Sequence, residues 1–179
     1  MRIRPARLDD AAVLARIYVA AWRDTYAGIL PDALLVSMSD VRHAAAWQQE
    51  LSTRDSHSDT LVAEDDDGVL GLLTLGPARR VSRAQLEGGE IYRLYVAPDR
   101  QGEGAGKALL MAGFDWLISR DVDAVIIWVL ADNPSRFFYE AMGGTRLGEK
   151  TDSVGGTKVR EVAYGWTDLV AALDRLAAR

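Results

Sequence analysis

The stretch LYVAPDRQGEGAGKALL, residues 94–110, puts three glycines in five positions between a strand-like segment and a helical apolar run. Glycine allows close approach to bare backbone, and the first amides of a helix have no intrahelical partner, so an anion suits such a place. Gly102, Gly104 and Gly106 at alternate positions point to a phosphate cradle more than to a plain turn. A nucleoside-triphosphate loop reads G-x-x-x-x-G-K-[ST]. Aligned on Gly106 and Lys107, this chain has Gln101 at the first glycine position and Ala108 where a magnesium-binding hydroxyl belongs. A dinucleotide fingerprint fails too, because position 107 is lysine and the motif lies past the middle of the chain.

Elements can be read outward from this turn. EIYRLYV before it is β-rich, AGKALLMAGFDWLIS after it is helical, and AVIIWVL is a continuous apolar run of the kind buried on both faces of a sheet. Asn133 and Pro134 then open a short helix, NPSRFFYEAMG. GTRLGEK and TKVREVAYGW are predicted strands around a DSVGG turn, and TDLVAALDRLAAR closes as a helix with Leu169, Leu173 and Leu176 on one face.

Upstream, TLVAE, DDDG and VLGLLTLG make a hairpin. Before it, IRPARL is a predicted edge strand, Asp9 a predicted cap, and Val13, Leu14, Ile17, Tyr18 and Ala21 mark the buried face of a helix ending near Thr25. GILPDALLVS breaks that helix, and SDVRHAAAWQQEL resumes helical spacing behind Ser39 or Asp40. No repeat and no linker interrupts the chain, which predicts one domain over residues 1–179. The hairpin in the first half and the alternation of strands and helices in the second predict an α/β (α+β) architecture, with a mixed sheet and helices on both faces.

Composition narrows the class. The chain has no cysteine, which excludes a disulfide framework, thiolate metal sites and a cysteine-bound acyl intermediate. A net charge of -5 gives no overall pull toward nucleic acid or anionic membranes. The N-terminus lacks the apolar core of a signal peptide and no apolar run is long enough to span a bilayer, so a cytoplasmic location is expected. His43 and His57 have no metal-ligand spacing and Asp65, Asp66 and Asp67 lack a calcium-loop pattern, so no metal is expected. Arg79, Arg80 and Arg83 form a local basic cluster, which reads as a solvated loop face ahead of the alternative, a site for an anionic ligand.

At this point the sequence resembles the GNAT (GCN5-related) N-acetyltransferases. Their acetyl-CoA signature, [QR]-x-x-G-x-[GA], is matched by Gln101, Gly104 and Gly106, and the family's asparagine, tyrosine and following glycine are matched by Asn133, Tyr139 and Gly143. Where the family usually has an aromatic after that glycine, this chain has Gly144. The resemblance implies a mostly antiparallel sheet of about seven strands, in which EIYRLYV and AVIIWVL splay apart to admit pantetheine. It implies cofactor contacts from Leu94, Tyr95 and Val96, from Gln101, Gly102, Glu103, Gly104, Ala105, Gly106 and Lys107, and from Asn133.

The resemblance also implies roles. Tyr139 matches the tyrosine that protonates the leaving thiolate of CoA, against a plain reading as a core aromatic beside Phe137, Phe138 and Met142. Glu90 resembles a position that serves some members as general base. Strand alternation puts it on the face of Tyr92, Leu94 and Val96, and the plain reading is a solvated carboxylate at a strand end. Trp22 and Tyr26, one helical turn apart, stand where the family often lines its acceptor pocket, with core packing the alternative. The expected activity is acetyl transfer from acetyl-CoA to a primary amine by direct attack in a ternary complex, the acceptor being a small molecule or a peptide or protein amine. A homodimer is among the assemblies the resemblance implies. The alternative is a non-catalytic acyl-CoA-binding sensor or scaffold.

Overall fold

The structure, a computed structural model, describes residues 1–53, 56–79 and 88–178. Of the basic cluster, Arg80 and Arg83 lie outside the described residues. Seven strands, β1 (Arg2–Pro5), β2 (Asp59–Asp65), β3 (Gly68–Pro77), β4 (Gly89–Val96), β5 (Val125–Leu130), β6 (Thr145–Val154) and β7 (Thr157–Trp166), form one sheet in the order β1-β2-β3-β4-β5-β7-β6. Every neighbouring pair is antiparallel except β4 and β5.

That parallel pair is brief. It holds only from Gly89 opposite Val125 to Ile91 opposite Ile127. Beyond it β4 stays paired with β3 as far as Val96, and β5 stays paired with β7 as far as Leu130, so the two strands diverge and the sheet opens as a wedge. A β-bulge sits at the mouth of the wedge. Arg93 pairs with Thr74 and Ile91 with Leu75, leaving Tyr92 as an extra residue.

Helices α1 (Ala11–Tyr26), α2 (Asp32–Ser37), α3 (Asp40–Ser52), α4 (Ala105–Ile118), α5 (Arg136–Ala141) and α6 (Leu169–Ala177) complete the architecture. α4 and α6 cover one face, where Leu110, Phe114, Leu117, Leu169 and Leu176 pack on Leu73, Leu75, Ile91, Ile127 and Val129. α1 and α3 cover the other, where Leu14, Ile17, Trp47 and Leu51 meet Val62 and Leu72. A third cluster joins the end of α1 and α2 to β5 through Tyr26, Leu30, Leu35 and Leu130. None of the helices among the described residues is long and apolar enough to cross a membrane.

Several local expectations are corrected. The cap at the start of the chain is Asp10, whose carboxylate accepts from the Arg7 amide at 2.6 Å and from Arg4 Nη1 at 2.7 Å, while a short 3-10 turn, Leu8–Asp10, precedes α1. β5 is not buried on both faces, since Ile126 and Trp128 are only half-buried. β6 runs on through Asp152, Ser153 and Val154, and the hairpin turns on Gly155 and Gly156, which both have positive φ. α5 begins at Arg136, two residues after Pro134, because Asn133 Oδ1 first accepts from the Ser135 amide at 2.8 Å. Trp166 fills the space beside Gly144, where an added Cβ would lie 2.9 Å from the indole, so an aromatic after Gly143 is not needed for packing.

Asp10 is buried, and the Arg4 guanidinium beside it holds its carboxyl below the usual aspartate range. Asp10→Ala leaves Arg4 and the Arg7 amide short of an acceptor and should cost about 2–3 kcal/mol in urea unfolding at neutral pH. A depressed folded-state pKa contributes stability above the unfolded value, ~3.9, and loses it as pH falls through the folded value. The difference between the two proteins should therefore shrink on acidification below that point.

Candidate active site

A cavity of about 580 Å³ fills the wedge and continues past α1. Its floor at one end is the glycine turn. Gly102 and Gly104 adopt left-handed φ of 82° and 86°, conformations costly for residues with a Cβ. Gly104 caps α4, and the first α4 amide to reach back is that of Ala108, bonded to the Gly104 carbonyl at 3.0 Å. The amides of Ala105, Gly106 and Lys107 therefore begin the helix without intrahelical acceptors, beside the positive end of the α4 dipole. Gln101, Gly102, Gly104, Ala105, Gly106 and Lys107 all line the cavity. Glu103 does not; its carboxylate pairs with Arg100 Nε at 2.8 Å.

The wedge supplies the next stretch. Leu94, Tyr95 and Val96 line it from β4, and their edge toward β5 has no strand partner. A flexible chain carrying amides could take that partner's place, as an added strand does. The cradle and this open edge together fit a ligand with phosphates at one end and an amide-bearing arm.

At the far end the cavity is aromatic. Tyr18, Trp22 and Tyr26 form a stripe along α1, with Trp22 and Tyr26 ring centres 4.9 Å apart. Trp22 Nε1 donates to the Tyr95 hydroxyl at 2.9 Å, and buried Asn133 donates to the Tyr26 hydroxyl at 3.3 Å, so the asparagine ties the start of α5 to α1. Asn133 lines the cavity through this network, beside its turn-forming bond to Ser135. Burial pushes Tyr26 and Tyr95 up from the ordinary phenol value.

Tyr139, on α5, is 5% exposed and lines the same cavity between the glycine turn and the aromatic end. Burial raises its pKa, with the neighbouring Tyr26 adding to the effect, so the phenol keeps its proton at neutral pH. Its hydroxyl has no hydrogen-bond partner among the described residues.

Glu90 lies elsewhere. The bulge at Tyr92 reverses the alternation, so Ile91, Leu94 and Val96 share the α4 face and Glu90 turns to the opposite one. It is fully buried and absent from the cavity wall. Arg79 holds both of its oxygens, through its amide at 2.8 Å and its Nε at 3.0 Å. Tyr18, whose spacing predicts a core position, lines the cavity as well, together with Trp128 and Glu161, which the motifs do not mark. The signal for Glu161 was present in TKVREVAYGW, where alternation sets it between Val159 and Ala163 on an otherwise apolar face.

Comparison with known proteins agrees with this geometry. Residues 14–144 match the model of the Acetyltransferase (GNAT) family. The chain is 34% identical over 170 residues to the uncharacterized N-acetyltransferase YuaI of Bacillus subtilis, covering 94% of each protein. Among solved structures it resembles a ribosomal-protein-alanine N-acetyltransferase from Brucella melitensis, with a TM-score of 0.71, 23% identity and coverage of 93% and 99%. It also resembles YncA, a putative acetyltransferase from Salmonella typhimurium solved with its cofactor acetyl-CoA, with a TM-score of 0.68, 22% identity and 94% coverage of each chain. The chain belongs to the GNAT acetyltransferase family, and is accordingly an acyltransferase.

Proposed function

We propose that the protein transfers the acetyl group of acetyl-CoA directly to a primary amine, with both substrates bound in the one cavity. The observation that carries this reading is the continuity of that cavity, which runs from the glycine turn, along the unpaired edge of β4, past Tyr139, to the aromatic stripe of α1. Acetyl-CoA supplies an activated thioester. In this reading the amides of Ala105, Gly106 and Lys107 hold its phosphates and the open edge of β4 orients its arm.

Tyr139 is assigned the proton that the departing sulfur needs. A phenol held above its usual pKa is a weak acid, so full transfer to sulfur is uphill unless the phenol regains a proton in the same step. The nitrogen of the amine, positively charged once it has attacked, has that proton to give. The bond sequence is then balanced: carbon–nitrogen forms, carbon–sulfur breaks with its electron pair on sulfur, and the Tyr139 proton moves to sulfur as the nitrogen proton replaces it. No acyl-enzyme is required, and the absence of cysteine agrees with that.

Thermal unfolding with single ligands tests the reading. Acetyl-CoA and CoA at about a hundred times their dissociation constants should each add roughly 2.7 kcal/mol, and ATP and NAD should add nothing. Equal stabilisation by ATP would make the glycine turn a general nucleotide site and sink the proposal.

A further inference from the structure

The acceptor end of the cavity holds a cluster that the transfer chemistry above leaves unused. Glu161 stands on β7, opposite Leu130 of β5 and Lys150 of β6. Val162 and Tyr164 beside it pack beneath α4, so Glu161 faces the other way, toward the α1 side of the sheet. It is the one carboxylate among the described residues that line the cavity. Trp128 lies on the same face of β5 and lines the cavity with it.

Two polar atoms in this cluster are buried with no hydrogen-bond partner among the described residues: Glu161 Oε2 and Trp128 Nε1. Lys150 Nζ does lie 2.9 Å from Glu161 Oε2, but as a charge contact without hydrogen-bond directionality. An N–H from a bound molecule would give that oxygen the directed donor it lacks. The same lysine ammonium sits 4.5 Å from the centre of the Trp128 ring. Lys150 reaches the cluster from outside the cavity wall, whereas Glu161 and Trp128 are part of that wall. The lysine thus displays what the cluster holds: a primary ammonium against a carboxylate and over an indole face. Trp22 and Tyr26 supply further aromatic wall on the cavity side.

We propose that Glu161 and the Trp128 ring form the acceptor subsite and recognise the acceptor as a primary ammonium attached to an apolar or aromatic carbon frame. The inference rests on the acetyltransferase reading and narrows it to acceptors that arrive charged, each giving one proton to solvent to free the nitrogen lone pair before the attack described above. Glu90, by contrast, lies outside the cavity wall and is held by Arg79.

The test uses the ¹⁵N-labelled full chain with CoA bound, titrated with phenethylammonium and, separately, with uncharged 2-phenylethanol. The Trp128 indole resonance is assigned by its loss in Trp128→Phe. Phenethylammonium at millimolar concentration should shift that resonance saturably and 2-phenylethanol should not. Glu161→Gln, which keeps the shape and removes the charge, should weaken the ammonium response at least tenfold, while CoA raises the unfolding midpoint as in the wild type. The inference is overturned if the two probes act alike, if Glu161→Gln binds the amine as well as the wild type, or if no shift occurs in a wild-type protein that CoA does stabilise. Failure of CoA to stabilise the wild type would instead remove the reading beneath it, and the subsite with it.

Discussion

Tyr139→Phe should lower kcat by roughly a hundred- to ten-thousand-fold, the range spanned by general acid–base groups, and leave the acetyl-CoA-induced rise in unfolding midpoint intact. The substitution removes one oxygen and keeps the ring that packs edge-on to Phe138, with centroids 5.3 Å apart. The lost hydroxyl has no partner among the described residues, so the folded state gives up no hydrogen bond to them. What disappears is an interaction made only as charge develops on sulfur, and such a loss falls on kcat and kcat/KM together. Unchanged turnover, measured as thiol release, would take Tyr139 out of the chemistry and leave it a core aromatic.

Gly104→Val should weaken acetyl-CoA binding by about tenfold or more, equivalent to about 1.4 kcal/mol. The residue sits at φ 86°, ψ 0° as the cap of α4, and nothing lies within 4 Å of an added Cβ. The penalty is therefore one of backbone conformation, about 1–2 kcal/mol for an L-residue and larger for a β-branched one. The chain escapes it by shifting the turn, which re-aims the amides of Ala105, Gly106 and Lys107. Gly148→Val is the matched control, since that position also meets nothing within 4 Å and is not among the glycines with positive φ. Isothermal titration should show near-native affinity for the control. Equal affinities in both variants would mean that the turn does not hold the phosphates.

Much of this arrangement was legible in the sequence because it rests on local signals. The glycine turn, the helical spacing of α1 and α4 and the β2–β3 hairpin are set by residues close in the chain, and they occur where the pattern places them. The face of Glu90 was not legible. A single extra residue at Tyr92 reverses the parity of everything before it, and that bulge depends on pairing with β3, nearly twenty residues away in the chain. AVIIWVL looked like a strand buried on both sides, yet the divergence of β4 from β5 exposes Trp128 to the cavity. The aromatic stripe shows the same limit. Spacing alone gives Tyr18, Trp22 and Tyr26 one face of α1, but only the wedge between two distant strands turns that face from core into lining.

Hydrogen–deuterium exchange with and without acetyl-CoA tests most directly whether the wedge and the glycine turn are the acyl-donor site. Peptides spanning the open end of β4 and the start of α4, residues 92–107, should become protected, and the β2–β3 hairpin turn around Asp66 and Asp67 should exchange as before. Protection confined to other segments, or none at saturating acetyl-CoA, would contradict the account.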